Sequence, residues 1–230
     1  MPFRHNPPGS AMNMVLWLTV GALAANFDAA LTDTGWELLT EAPTNEIGPV
    51  LLQTKRIDGE RCLRGKVTVD VDPSHLLEVI TDVPAAMEFS RERLRASRVL
   101  GRDGDAVHFV QHLDVPNWTM IADRFWVLSG SRRDEGSTVI YAWERFDWRT
   151  RYPTLAAELA RDHKGAVEPT PNFGAWSLAP AGAGTAATYT LCSNAAGSLP
   201  EWLVRIATTK NFPNTIVDVV VEGRRRAAAP

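Results

Sequence analysis

The sequence is poor in cysteine and tyrosine, has no large excess of either charge, and has no long apolar run. Of its 230 residues, two are cysteine (Cys62 and Cys192) and three are tyrosine. Two cysteines exclude a disulfide-dense scaffold and a four-cysteine zinc site. Lys and Arg total 24 against 27 Asp and Glu, a net charge of −3, which excludes a broad nucleic-acid footprint. The uncharged stretch Met14 to Ala25 falls short of the ~20 residues that span a bilayer. There is no internal repeat, G-x-S-x-G, P-loop or C-x-x-C. What remains is 45% hydrophobic and 22% charged, the balance of a soluble globular domain, with eight tryptophans. Tryptophan brings a large apolar surface and a single N–H, which suits a core or an apolar ligand cavity.

The first residues read as an export signal. Arg4 and His5 precede the apolar stretch, and Ala22-Leu23-Ala24 supplies an A-x-A cleavage pattern. Residues 1–24 are therefore expected to be a signal peptide, with the mature protein periplasmic or secreted. The bland alternative is a buried or retained N-terminal helix.

Beyond this leader the patterns alternate between helix and strand. Trp36 to Leu39 reads as a short helix after Asp33 or Thr34, and Val50–Thr54 as a strand ending near the Asp58-Gly59 turn. Cys62 to Val71 has period two, hence one buried face. Asp72-Pro73-Ser74 opens a helix, Asp82-Val83-Pro84 breaks it, and Ala85–Phe89 forms a second. Strands are expected over 94–100, 107–113, 118–128, 137–146, 173–178 and 185–193. Between them lie the turns Gly101–Asp105, Arg132–Gly136 and Gly182-Ala183-Gly184. Asp147–Pro171 stands apart, with three prolines around a helical piece, Leu155–Ala160. A last helix is expected from Pro200 to about Glu222, kinked at Asn211-Phe212-Pro213, with residues 223–230 a frayed tail. Strands and helices are thus segregated, an α+β order that invites a curved antiparallel sheet gripping the final helix.

Several patterns could carry chemistry. His108 and His112 alternate with apolar residues in a strand, where four residues span ~13 Å, too far for one metal. They read as two residues of a solvent face, and no metal is expected. Gly182-Ala-Gly184-Thr-Ala-Ala187 loosely matches a dinucleotide loop, but a strand follows it instead of a helix. Asp70 and Asp72 share a face and could form an acid–base pair, yet Asp72 is explained as a helix cap. Arg91, Arg93, Arg95 and Arg98 read as a solvated basic face, with a weak pull toward anionic membrane.

In three stretches the sequence resembles a START domain, the steroidogenic acute regulatory protein-related lipid transfer family of helix-grip fold. These are Ala122-Asp123-Arg124-Phe125-Trp126-Val127-Leu128, then Gly136-Ser137-Thr138-Val139-Ile140-Tyr141, and Gly197-Ser198-Leu199-Pro200-Glu201-Trp202-Leu203 with Thr208–Pro213. The last is similar to the family's GxxP approach to its lid-bearing C-terminal helix. The resemblance implies a START-like lipid-binding domain over residues 33–222, a curved sheet around a long C-terminal helix, and an internal apolar cavity for one lipid of sterol, hopanoid or phospholipid class. It implies lining by Phe109, Gln111, Leu113, Phe125, Tyr141, Trp143, Trp176, Thr190, Val204, Thr208 and Asn211, with the polar members setting specificity. It also implies no cofactor, no nucleic acid, a monomer, transient membrane contact, and a lid in which Asp147–Pro171 moves against the C-terminal helix. The acid and arginine that some sterol-binding members bury superpose on Leu113 and Ser129, so that pair is missing. The family's topology makes the strands of Cys62 and Cys192 neighbours, which would let an exported protein close a disulfide; two buried thiols are the reading preferred here. The alternatives to a carrier are a polyketide cyclase or hydrolase-like enzyme of the same superfamily, and a protein-interaction module with a filled core.

Overall fold

The computed structural model describes residues 27–163, 165–194 and 201–229. Within them nine strands form one antiparallel sheet: β1 (Glu37–Ala42), β2 (Val50–Ile57), β3 (Glu60–Val69), β4 (Leu94–Asp103), β5 (Ala106–Leu113), β6 (Arg124–Glu135), β7 (Thr138–Arg145), β8 (Asn172–Ala181) and β9 (Gly184–Ser193). The spatial order is β1-β2-β3-β9-β8-β7-β6-β5-β4, and the sheet is curved and open. Adjacent strands joined by short turns explain most pairings, and β3–β9 joins the two halves. The β2–β3 turn places Asp58 and Gly59 at φ 48° and 82°, the left-handed pair that matches strand twist.

Helix α1 (Pro73–Thr81) follows β3 and α2 (Ala86–Phe89) precedes β4; α3 (Trp148–Arg151) and α4 (Pro153–Asp162) lie between β7 and β8. The C-terminal element is α5 (Glu201–Ile206), one π turn over Ala207–Asn211, then α6 (Phe212–Ala227). Asp72 caps α1, its carboxylate accepting the Ser74 N–H at 2.8 Å. Asp70 instead meets Arg224 at 2.9 Å, so neither aspartate is poised for acid–base work.

The sheet buries both faces. On the inner face α6 sets Phe212, Ile216, Val219 and Val220 against it, with α1 adding Leu76 and Val79. Each such side chain is worth roughly 1.5–3 kcal/mol on full burial. The approach is close: a Cβ at Gly65 would run into Ile216 and sit 3.2 Å from Phe212, and one at Gly223 would sit 2.9 Å from Leu76. On the outer face α3 and α4 lay Trp148, Leu155 and Leu159 over Val110, Phe125 and Val127. The segment from Phe27 to Trp36 covers the rest, packing Ala30, Phe27 and Trp36 near Cys62, Phe173 and Cys192. Lys55 Nζ donates to the carbonyls of Ala29 (2.7 Å) and Thr34 (2.9 Å), and the Arg64 guanidinium lies 4.4 Å over the Trp36 ring.

Several expectations need correction. Glu37–Ala42 is an edge strand and not a helix; pairing with β2 outweighs the local apolar spacing, and Pro43 follows it directly. The strand expected from Trp118 starts only at Arg124, because Asn117–Thr119 is a 3-10 turn and Met120 has φ 56°. The Arg132–Gly136 segment stays in β6 to Glu135, and the turn is Gly136-Ser137. Asp147–Pro171 does not face the C-terminal helix: its helices lie on the outer face, where Glu168 bonds Trp148, Arg145 and Arg149. That cover buries His108 and His112, which were expected in solvent. The arginines of β4 are ion-paired: Arg93 and Arg95 to Asp114, Arg98 to Glu158. The tail from Gly223 is helical to Ala227. Pro213 does interrupt the last helix, but as a widening: a proline has no N–H for the preceding turn, and the π turn before it absorbs that loss. The leader and the Gly197–Pro200 motif lie outside the described residues.

Cys62 and Cys192 are direct partners in the β3–β9 register, with Cα atoms 4.2 Å apart, and they are disulfide-bonded. This corrects the two-thiol reading: the register requirement is met residue for residue. Closing 130 residues removes about 5 kcal/mol of unfolded-state freedom at the upper end of loop-closure estimates. Replacing both cysteines by alanine is expected to lower Tm by about 10 °C or more, measured by calorimetry against the oxidised protein.

At the end of α6, Glu222 bonds Arg225 (2.6 Å) and Arg226 (2.9 Å). Arg225 first, then Arg226, holds its carboxyl down to about 2 from the usual 4.5. A depressed carboxyl stabilises the folded state above its unfolded value and loses that contribution as pH falls through the folded one. Glu222→Gln is expected to cost about 1–2 kcal/mol at pH 7, a deficit that shrinks between pH 4.5 and pH 2, read by denaturant titration at each pH.

Candidate functional site: the inner face under the C-terminal helix

Side chains alternate across a strand, so the register fixes which residues share the inner face. One row runs Tyr141, Trp176, Tyr189, Gly65 across β7, β8, β9 and β3. The next runs Gly130, Trp143, Gly174, Leu191, Leu63. On β5 and β6, Phe109 faces Leu128 and Gln111 faces Trp126. The glycines are spaces for neighbouring rings. A Cβ at Gly174 would come 2.6 Å from Trp143, and one at Gly130 would strike the Tyr141 hydroxyl. The rings lie low over the sheet as a stack: Trp176–Tyr189 at 4.6 Å, Tyr189–Phe212 at 4.9 Å and Trp143–Tyr189 at 5.8 Å.

Filling is uneven along this face. Leu128, Leu178 and Ala187 are fully buried against the helices. Leu63, Leu113, Trp126, Tyr189 and Leu191, together with Phe89 from α2, point inward and yet remain part-accessible. These inward-facing apolar side chains are not fully covered by the protein's own side chains. Two clefts, of about 440 and 460 Å³, are open and mixed in character; one lies by Asp72, Arg132 and Ser137, the other by Glu88, Arg91 and Glu222.

The expected lining residues divide. Phe109, Tyr141, Trp143 and Trp176 lie in the inner core with α6, Leu113 shares their face, and Val204 and Thr208 lie on the C-terminal element. Phe125 does not join them: it pairs with His112 on the outer face, edge-on to Trp148 at 6.2 Å. Thr190 is also on the outer face, opposite Arg64 and Ala175. Asn211 is exposed on the π turn. Gln111 faces inward, but its polar atoms are spent. It accepts from Trp126 Nε1 at 2.9 Å and donates to Ser97 Oγ at 2.9 Å, and Ser97 in turn bonds the Val83 carbonyl.

Other groups supply the polar character. Burial pushes the Tyr141 hydroxyl up to about 12, and it is buried without a hydrogen-bond partner, as is Asn172 Oδ1. Burial, with Glu92 nearby, pushes Tyr189 well up. Glu92, in the α2–β4 connection, is itself raised by burial and by Asp218. Alternation in β9 could have identified Tyr189; nothing in Arg91-Glu92-Arg93 separates Glu92 from an ordinary charged surface.

The outer-face histidines are occupied. His108 Nδ1 lies 2.9 Å from the Tyr152 hydroxyl, and His112 Nε2 lies 3.0 Å from Asp123 Oδ2. Burial lowers both, which favours the neutral ring. Among the described residues no three metal-ligating side chains converge. At one end of the molecule Trp118 is 72% exposed, Met120 94% and Trp202 42%, with the two indoles stacked at 6.2 Å. Arg205 and Lys210, on the same C-terminal element as Trp202, are exposed. No described helix is long and apolar enough to cross a membrane.

No family model matches this sequence, and no curated protein matches it. Solved structures do. A STAR-related lipid transfer protein from Xanthomonas axonopodis superposes with TM-score 0.65 at 20% identity, over 83% of this chain and 99% of the other. Human StAR-related lipid transfer protein 5 gives 0.71 at 11% identity, over 94% and 99%. The Zhui aromatase/cyclase from Streptomyces sp. R1128 gives 0.51 at 16%, over 74% and 96%. The chain therefore has the START, or helix-grip, fold. Among the solved structures with this fold are both lipid transfer proteins and an aromatase/cyclase.

A buried hydroxyl without a partner is a net cost, and deleting it removes the cost. Tyr141→Phe is expected to leave the apo fold intact and raise its stability by about 1 kcal/mol, measured by urea unfolding.

Proposed function

We propose that the protein is an exported carrier that binds one hydrophobic lipid on the inner face of its sheet, without catalysis. The observation that carries this reading is the part-accessible apolar lining of Leu63, Trp126, Tyr189 and Leu191 on the face that α6 covers. Moving ~400 Å² of lipid surface out of water contributes roughly 10 kcal/mol before association costs. No covalent step is needed. Sterol, hopanoid and phospholipid classes all fit an apolar chamber, and the protein acts as a monomer.

Export is supported by the leader pattern in residues 1–24 and by the Cys62–Cys192 bond, which persists in an oxidising compartment. The exposed trio Trp118, Met120 and Trp202 supports transient membrane contact, since indole rings favour the bilayer interface. Arg205 and Lys210 add attraction to anionic lipid. A second reading, a cyclase acting on a small hydrophobic substrate, draws on one observation, the raised carboxyl of Glu92.

The test is native mass spectrometry of the mature protein after incubation with total lipid extract. One lipid mass retained at one-to-one is the expected result; a bare protein mass, with nothing retained or exchanged, would sink the carrier reading. The double variant Trp118→Ala, Trp202→Ala is expected to keep the one-to-one complex and slow transfer between anionic liposomes about tenfold, as loss of two interfacial indoles should.

A further inference from the structure

The connection that carries Glu92 is held on both sides. The Glu92 N–H donates to Ser90 Oγ at 3.1 Å, and the Glu92 carbonyl accepts from Leu94 N–H at 2.9 Å. The preceding residue, Arg91, is fixed to α6: its N–H donates to Asp218 Oδ2 at 2.7 Å and its Nε lies 2.9 Å from Asp218 Oδ1. Its far end meets Glu46 at 2.6 Å. With Arg91 committed to Asp218 and Glu46, the Glu92 side chain sits half-buried, close enough to Tyr189 for its charge to be felt there.

In that position Glu92 has no ion pair and its carboxylate accepts no hydrogen bond among the described residues. The cations around it are committed elsewhere: Arg91 to Asp218 and Glu46, Arg93 to Asp114, Arg95 to Asp114 and Asp123. The Tyr189 ring, whose hydroxyl feels the Glu92 charge, is stacked between Trp176 and Phe212. Two residues along the same row, past Trp176, Tyr141 is more than nine-tenths buried and its hydroxyl also has no partner. A carboxylate taken from water without a donor is costly, and so is an orphaned hydroxyl. Groups left in this state are satisfied by what the protein binds.

We propose that Glu92 receives the polar end of the bound molecule, and that the chamber selects a hydrophobic molecule ending in a hydrogen-bond donor, an alcohol or a protonated amine, over one ending in a carboxylate. This rests on the carrier reading and sharpens it. An alcohol or ammonium gives Glu92 its missing donor. A carboxylate head would bring a third acidic group beside Glu92 and Asp218. The raised carboxyl of Glu92 fits the same picture: it is desolvated and lacks a resident cation.

The test uses three probes with one tail and different heads: dodecan-1-ol, dodecylamine and dodecanoate. Each is titrated into the full mature protein at pH 7 below its aggregation concentration. Binding is followed by tryptophan fluorescence and calorimetry. The alcohol and the amine are expected to bind about tenfold or more tighter than dodecanoate, the size of one charge-assisted hydrogen bond. Glu92→Gln is nearly isosteric, and its folding is checked by circular dichroism and Tm. It is expected to abolish the preference for the amine while leaving the Kd for dodecanoate unchanged or improved. A purely structural Glu92 would weaken all three probes together, and that result overturns the proposal. So does equal binding of the three heads by the unaltered protein, which leaves the carrier reading standing. Failure of all three to bind, with no lipid retained from extract, overturns the carrier reading and the role of Glu92 with it.

Discussion

A single antiparallel sheet of nine strands has two broad apolar faces and must hide both. That constraint arranges the rest of the molecule. The inner face is covered by the C-terminal helix and α1, and packing there is close enough that Gly65 and Gly223 tolerate no side chain. The outer face is covered in two pieces, by α3–α4 at one side and by the segment from Phe27 to Trp36 at the other. The two faces have different fates. Two short helices cover the outer face beside the Phe27–Trp36 segment, whereas the inner face is covered by the C-terminal helix and α1. On that inner face Trp126, Tyr189 and Leu191 are only part-covered.

Much of this was legible from sequence because it is periodic. The alternation of Cys62–Val71, the Asp72-Pro73 helix start and the Gly182-Ala183 hairpin all follow local rules, and the structure keeps them. Which face an element buries depends on the layer that covers it, and that layer comes from distant segments. His108 and His112 alternate with apolar residues as an exposed face would, and only the fold of Asp147–Asp162 back over β5 and β6 buries them. Phe125 and Thr190 are apolar or small enough to serve either face, and the register alone decides. Trp36–Leu39 had helical spacing, but β2 offered an unpaired edge.

The polar groups of the inner face were the least legible. Gln111 lies on the inner face, yet Trp126 and Ser97 use its acceptor and donor. Glu92 sits between two arginines in sequence, and in space both of those arginines serve other acids. A sequence shows which charges are present; which of them are spent on one another depends on distances between segments far apart in the chain. The chemistry of the chamber is therefore set by leftovers, the groups that remain after Arg91, Arg93 and Arg95 have been distributed.

The bond between Cys62 and Cys192 divides the chain topologically. Strands β4 to β8, with α1 to α4, lie inside a covalent ring that also takes in most of β3 and β9. The Phe27–Trp36 cover, β1, β2 and the whole C-terminal element lie outside it. The two halves of the sheet are thus locked at their seam, while the helix that roofs the inner face is tethered at one end only, beyond β9. The cross-link therefore constrains the seam of the sheet and leaves the helix over the inner face to be held by side-chain contacts alone.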